Sequence, residues 1–257
     1  TDETGNNIIA YSVCLTDDGV LFGSKNKIFF YNYQDATFRL LQTFDLEPNY
    51  NVTLLSLWDK RTLLCCSRWQ GLLLLDLNTG KCRRPPFDCG KEIMNVLIDS
   101  QKRIWVAPYN GGLNCLTRDG KLLATYTTHN SSLSNNVILS LAEREGEIWI
   151  GTDGGGINIL DPETRRISLL EHMPGSDNYS LPANSILCLY NDCNNNMWAG
   201  SIRNGLISIR EVSMKTYTDV PPGNDRGLSN NTVLSLFQES QDQIWVGTDG
   251  GGINSFN

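Results

Sequence analysis

The sequence predicts an all-β fold made of repeated four-stranded antiparallel sheets, and three observations support this prediction. One motif recurs about every 40 to 50 residues along the 257-residue chain. Each unit contains short apolar runs that are separated by turn residues. No stretch keeps the 3.6-residue apolar periodicity that a long helix would show. Units of this length and strand content are typical of the blades of a β-propeller.

The repeat is clearest where two segments are almost identical. Ile148–Asn158 reads IWIGTDGGGIN, and Ile244–Asn254 reads IWVGTDGGGIN. Weaker copies begin at Ile104 and Met197, and degenerate copies begin at Val20 and Leu63. The position of the tryptophan, here called the tryptophan slot, then falls at residues 21, 64, 105, 149, 198 and 245. We therefore expect six blade repeats, at about residues 7–50, 51–90, 91–130, 131–180, 181–226 and 227–257, the last one incomplete.

The strands of a unit follow one another in a constant order. An apolar run such as Asn136–Leu141 predicts the first strand, and the tryptophan segment predicts the second. Residues Ile157–Leu160 predict a third strand, and the more polar Arg166–Leu170 predicts the outer, fourth strand. The three glycines at 154–156 supply the positive φ angles of a tight hairpin between the second and third strands.

The first and last units suggest that this stretch is a piece of a larger chain. The sequence begins in a first-strand run, Asn7–Leu15, and stops in a third-strand run, Ile253–Phe256. The sixth unit therefore lacks an outer strand, and residues 1–6 are too short and polar to provide one. Because propellers normally close by joining their first and last blades, we expect closure to need further residues.

Composition narrows the possible partners. The chain carries 21 Lys and Arg against 28 Asp and Glu, a net charge of −7, so we expect no nucleic-acid partner. The longest apolar run, Gly71–Leu75, is far shorter than the roughly 20 residues of a membrane helix, so we expect no membrane segment. The eight cysteines contain no C-x-x-C pattern and are interpreted as buried, reduced thiols.

Catalytic and metal-binding residues are not expected. The two histidines, His129 and His172, follow outer strands in similar places, which favours a structural role in the connection between blades. The acidic turn Asp192–Asn195 suits a hairpin for backbone reasons, with a calcium loop as the alternative. We therefore predict no catalytic residue, no metal and no cofactor.

The motifs resemble the two-component regulator propeller repeat, which has an Asn-Asn-Val first strand, a Leu-Trp-Ile-Gly-Thr second strand and a Gly-Gly-Gly-Leu-Asn hairpin. Residues 130–172 and 226–257 carry this pattern most closely. The resemblance implies a seven-bladed propeller in the periplasmic sensor region of a hybrid two-component regulator, ahead of a histidine kinase. It also implies an oligosaccharide ligand, a homodimer of the full receptor and no enzymatic activity in this chain. A propeller lyase or hydrolase and a protein-binding scaffold remain alternatives.

Three units depart from Asp-Gly-Gly-Gly at the hairpin between the second and third strands, which shares a face with the connections between blades. Aromatic rings stack on the apolar face of a sugar, and planar polar groups bind its hydroxyls. The expected ligand-binding residues are therefore Arg68, Trp69, Tyr109, Asn110, Arg203 and Asn204. The alternative is that these positions are only exposed, variable turns.

Overall fold

The computed structural model describes residues 9–44, 51–67, 70–87, 90–172, 181–209, 214–219, 227–240 and 243–256. Within these ranges the regular secondary structure consists of strands β1–β23. The described ranges contain no helix long and apolar enough to cross a membrane. The strands form six antiparallel sheets in which consecutive strands are neighbours.

Residues 1–108 and 114–124 form one compact unit. It holds blades 1 and 2 and most of blade 3, whose strands lie as follows. Blade 1 contains β1 Ser12–Thr16, β2 Gly19–Gly23, β3 Lys27–Asn32 and β4 Phe38–Thr43. Blade 2 contains β5 Leu54–Asp59, β6 Thr62–Ser67, β7 Gly71–Asp76 and β8 Cys82–Arg83. Blade 3 contains β9 Ile93–Ile98, β10 Ile104–Pro108, β11 Leu113–Leu116 and β12 Leu122–Tyr126.

Residues 109–113 and 125–257 form the second compact unit, which includes blades 4 to 6. Blade 4 contains β13 Ile138–Arg144, β14 Glu147–Thr152, β15 Ile157–Leu160 and β16 Ile167–Leu170. Blade 5 contains β17 Ile186–Asn191, β18 Met197–Ser201, β19 Leu206–Ile209 and β20 Met214–Tyr217. Blade 6 contains three strands, β21 Val233–Ser240, β22 Gln243–Thr248 and β23 Gly252–Phe256. The predicted propeller fold, with blades of antiparallel strands, is confirmed.

The second strand of a blade is buried on both faces, as its unbroken apolar sequence predicts. In β14, Ile148 and Ile150 are fully buried, and Trp149 between them is 4% exposed. Trp149 packs against Ile186 and Met197 of blade 5. The tryptophan side chain therefore contributes to the core between one blade and the next.

Neighbouring blades also approach each other closely beside the first and second strands, and a serine hydroxyl of the first strand donates a hydrogen bond across this contact. Gly151 follows Trp149 by two residues, and an added Cβ there would lie 2.9 Å from Cγ2 of Ile186 in blade 5. The Ser140 hydroxyl of β13 donates a hydrogen bond to the Ile186 carbonyl at 3.2 Å. Ser12 of blade 1 donates in the same way to the Val52 carbonyl, at 3.0 Å. Glycine is required at position 151 because the next blade approaches so closely.

Two of the described cysteines do not fit the expectation of burial. Cys65, Cys66 and Cys115 are buried, but Cys82 and Cys193 are exposed. No disulfide joins the seven cysteines in the described ranges. Burial raises the pKa of Cys188 to about 12, so this thiol stays protonated and behaves as a small apolar group.

Candidate functional site

The consensus hairpin of blade 4 is held by its own backbone and by the connections before and after the blade. The Thr152 N–H and hydroxyl both donate to the Gly156 carbonyl, at 3.1 and 2.9 Å. The buried Asn158 amide accepts from the Ser134 N–H and donates to the Ser134 hydroxyl. The Asp153 carboxylate accepts a hydrogen bond from Ser185 at 2.9 Å. These contacts give the Thr-Asp-Gly-Gly-Gly-Ile-Asn motif a structural role.

The hairpin between the second and third strands lies beside the connection to the following blade. The N–H of the last hairpin glycine donates to the carbonyl of an asparagine that precedes the next first strand. These pairs are Gly112 to Asn136 at 3.1 Å, Gly156 to Asn184 at 2.8 Å and Gly205 to Asn231 at 2.8 Å. The hairpins and the connections in the second unit therefore share one edge of the blades, as the sequence predicts.

The hairpins of blades 3 and 5 keep the consensus backbone but not its glycine. Gly154 and Gly250 have φ angles of 84° and 70° in the consensus hairpins. Asn110 and Arg203 occupy the same position in blades 3 and 5, with φ angles of 52° and 69°. A left-handed conformation costs a residue with a Cβ about 1 to 2 kcal/mol, least for asparagine. Arg203 therefore occupies a conformation that glycine would adopt with less strain.

Blade 5 accommodates a second substitution in the same hairpin. Asn204 replaces the glycine found at 155 in blade 4, where an added Cβ would lie 2.8 Å from the Thr152 hydroxyl oxygen and closer still to that of Ser134. Pro182 stands in blade 5 where Ser134 stands in blade 4, so the nearer of the two hydroxyls is absent, while Ser201 keeps a hydroxyl at the place of Thr152. Proline also lacks the N–H that Ser134 donates, and Ile207, which stands at the place of Asn158, has no side-chain amide to accept it.

The predicted ligand-binding residues that the structure describes are exposed. Tyr109 is 53% exposed, and Asn110, Arg203 and Asn204 are exposed as well. In the described part of the chain, no ring contact or ion pair joins the blade 3 residues to those of blade 5. Arg68 and Trp69 lie outside the described residues.

The two histidines differ more than their similar places in the sequence suggest. The His172 N–H donates to the Asn184 side chain at 2.7 Å, and its ring Nδ1 lies 2.6 Å from the Leu181 carbonyl oxygen. In the preceding blade, Thr128 makes the equivalent backbone hydrogen bond, to Asn136. His129 is therefore displaced by one position and lies exposed. The sequence missed this shift because the two connections differ in length.

The acidic turn of blade 5 is occupied by hydrogen bonds within the blade. The Asp192 carboxylate accepts from the Trp198 indole at 2.8 Å and from the Asn196 side chain and backbone. Burial acts to raise the pKa of Asp192, but these hydrogen bonds outweigh it and hold the pKa below its usual value. The described ranges contain no group of three residues able to hold a metal ion.

Comparison with known families identifies the repeat. The sequence profile of the two-component regulator propeller family matches residues 132–154 and 227–250. Both segments match the two-component regulator propeller repeat. They cover the first two strands and the start of the consensus hairpins of blades 4 and 6, where the sequence carries the motif most closely. No protein with curated annotation matches the sequence.

Similar solved structures come from Bacteroides thetaiotaomicron. BT4673 has been described as the extracellular domain of a proposed one-component system and of a proposed hybrid two-component system. Its two structures are 25% and 26% identical to this chain, with TM-scores of 0.73 and 0.72, and each covers all of the chain. BT3049, described as the extracellular domain of a proposed hybrid two-component system, is 19% identical with a TM-score of 0.74, and this likeness shows the fold. The chain spans about a third of these proteins, 33% of BT4673 and 35% of BT3049.

Proposed function

We propose that this propeller is part of the extracytoplasmic, periplasmic sensor region of a hybrid two-component regulator. In this role it binds an oligosaccharide derived from a glycan, and the full receptor, as a homodimer, relays binding to a cytoplasmic histidine kinase. The repeat family and the likeness to the extracellular domain of BT4673 support a sensor role. The chain itself contributes recognition, not catalysis.

The observation that supports a binding site most strongly is the pair of substituted hairpins. Arg203 and Asn110 replace glycine at left-handed positions and are exposed at the tips of their hairpins. Strain of this kind persists at functional sites because a function offsets its cost. A guanidinium and an amide can each bind vicinal hydroxyl groups, and the exposed ring of Tyr109 can stack on the apolar face of a sugar.

A calorimetric titration of the purified chain with a panel of glycan fragments tests this proposal. We expect saturable heat from one class of fragment, with no change in the fragment after prolonged incubation. Fragment turnover, followed by chromatography, would favour a propeller lyase or hydrolase instead. Heat from a protein partner and from none of the fragments would favour a scaffold.

A further inference from the structure

The tryptophan slot supplies an indole ring to the space between neighbouring blades. Trp149 packs against residues of blade 5, and Trp198 packs against Val233 and Ile244 of blade 6. Both indoles are more than nine-tenths buried, at 4% and 7% exposure. A junction of this kind is therefore filled by one large aromatic ring from the second strand of the earlier blade.

In three blades the indole extends toward the hairpin between the first and second strands. In the β-ladder each tryptophan pairs with a residue of the first strand. The indole N–H donates a hydrogen bond to the carboxylate of the residue two positions later in the sequence. This place is here called the acceptor position. The pairs are Trp105 Nε1 to Asp99 Oδ2 at 2.9 Å, Trp198 Nε1 to Asp192 Oδ2 at 2.8 Å and Trp245 Nε1 to Glu239 Oε2 at 2.6 Å. The ring thus occupies the space beneath that hairpin.

Blade 2 fills the same space from the other strand. Its tryptophan slot holds Leu64, which pairs with Ser56, so the acceptor position is Trp58. Trp58 is 8% exposed and packs with Leu64 and with Ile104 of blade 3. The indole therefore comes from the first strand where the second strand lacks one.

Blade 1 has neither arrangement. Its slot holds Leu21, which pairs with Cys14, so the acceptor position is Thr16. Between blades 1 and 2 the structure contains a cleft of about 850 Å³, and both Leu21 and Thr16 line it. The side chains of Phe30 and Leu57 supply apolar wall from the two blades. Trp58 of blade 2 and the blade 3 residues Lys102 and Arg118 also line it, so the cleft includes the place where blade 1 lacks an indole and extends beyond it.

The mouth of the cleft is polar and carries both charges. Asp17 and Asp18 come from the first hairpin of blade 1, and Lys60 comes from that of blade 2. The Arg39 guanidinium lies 5.6 Å from the centre of the Phe30 ring. A ring compound would therefore enter with its apolar part against the leucines and its polar substituent at the mouth.

We propose that this cleft binds a planar aromatic compound of one or two rings, in the place that an indole side chain fills at other junctions. Apolar surfaces formed by Leu and Phe side chains bind aromatic molecules, and the polar and charged residues that line the rest of the cleft can bind a polar substituent. The volume lies within the range of ligand pockets. The cleft opens among the hairpins between first and second strands. It is thus separate from the edge proposed for the oligosaccharide.

Titration of the chain with indole, followed by ligand-observed NMR, tests the proposal. We expect saturable binding to the wild type. Leu21→Trp should fill the cleft from the second strand, and Thr16→Trp should fill it from the first strand, as Trp58 does in blade 2. Each substitution should weaken indole binding at least about tenfold and raise the melting temperature of the chain.

A matched control adds the same ring elsewhere. Leu122 in blade 3 is 56% exposed and does not line the cleft, so Leu122→Trp should bind indole as the wild type does. The absence of saturable binding to the folded wild type would overturn the proposal. So would wild-type affinity in a folded Leu21→Trp or Thr16→Trp variant, and the second variant decides the matter if the first does not fold.

Discussion

Single backbone positions distinguish the substituted hairpins from the consensus hairpins. Arg203 has a φ of 69°, close to the 70° of Gly250 at the equivalent position of blade 6. Arg203→Gly should therefore raise the free energy of unfolding by about 0.5 to 1 kcal/mol, because relief of strain exceeds the entropy that glycine adds to the unfolded chain. Urea denaturation measures the change.

Gly154→Arg is the matched control for that prediction. An added Cβ at Gly154 would meet nothing within 4 Å, so only the left-handed backbone, with a φ of 84°, should matter. We expect Gly154→Arg to lower the free energy of unfolding by about 1 kcal/mol. Equal stability of both variants and the wild type would show that the backbone at these tips is not strained.

Asp192 makes the stability of blade 5 depend on pH. Its folded pKa is lowered, so its contribution is present above the unfolded pKa of about 3.9 and is lost as the pH falls through the folded pKa. Asp192→Asn should cost about 1 to 3 kcal/mol at pH 7 through weakened hydrogen bonds to Trp198 and Asn196. Denaturation at pH 7 and pH 3 should show this difference shrinking, and a difference independent of pH would contradict the assignment.

At the scale of the element, the tryptophan slot tests whether blades pack through their second strands. Trp149→Ala should lower the free energy of unfolding by about 3 to 5 kcal/mol, because it leaves a cavity beside Ile186 and Met197 of blade 5. Trp245→Ala removes the same side chain from the last described blade, where Trp245 is only half-buried, and should cost clearly less. Melting temperatures that are equal in the two variants would argue against packing between blades as the cause.

The sequence predicted the strands and hairpin of blade 4 well because its motif repeats the consensus. The glycines at 154 and 156 have the positive φ expected of them. The sequence did not predict that Trp58 replaces the indole missing at Leu64, since this follows from ladder register and not from motif spacing. It also did not predict the cleft beside Leu21. The cleft depends on Leu21 and Thr16, which are both smaller than an indole and belong to different strands.

At the scale of the candidate site, the sequence predicted that the substituted hairpins lie at the same edge as the blade connections, but not the backbone geometry of these hairpins. Exposure of Tyr109, Asn110, Arg203 and Asn204 follows from their position in hairpins. The left-handed backbone at Asn110 and Arg203 could be inferred by aligning them with Gly154. The effect of exchanging Ser134 for Pro182 could not be predicted, because only the fold brings Ser134 next to Gly155, the equivalent of Asn204.

At the scale of the whole molecule, the proposed sensor should report its ligand by moving as a rigid body. Blade sheets are packed on both faces, so rearrangement within a blade would break close packing. A ligand shifts an equilibrium only through different affinities for its two states, and placement of the propeller relative to a partner or neighbouring domain offers such states. Crystal structures of the full extracellular region with and without ligand should therefore show nearly unchanged blades and altered subunit placement. Large hairpin shifts with fixed subunits would contradict this.

Binding of glycan fragments to hairpin variants tests the proposed recognition most directly. Calorimetry measures fragment affinity for the folded wild type and for the folded variants Arg203→Gly and Asn110→Gly. The control is Asp249→Ala, in the consensus hairpin of blade 6. We predict that both glycine variants bind the active fragment at least about tenfold more weakly, although Arg203→Gly is more stable than the wild type, and that the control binds normally. Wild-type affinity in both glycine variants, or no binding of any fragment to the folded wild type, would contradict recognition at these hairpins.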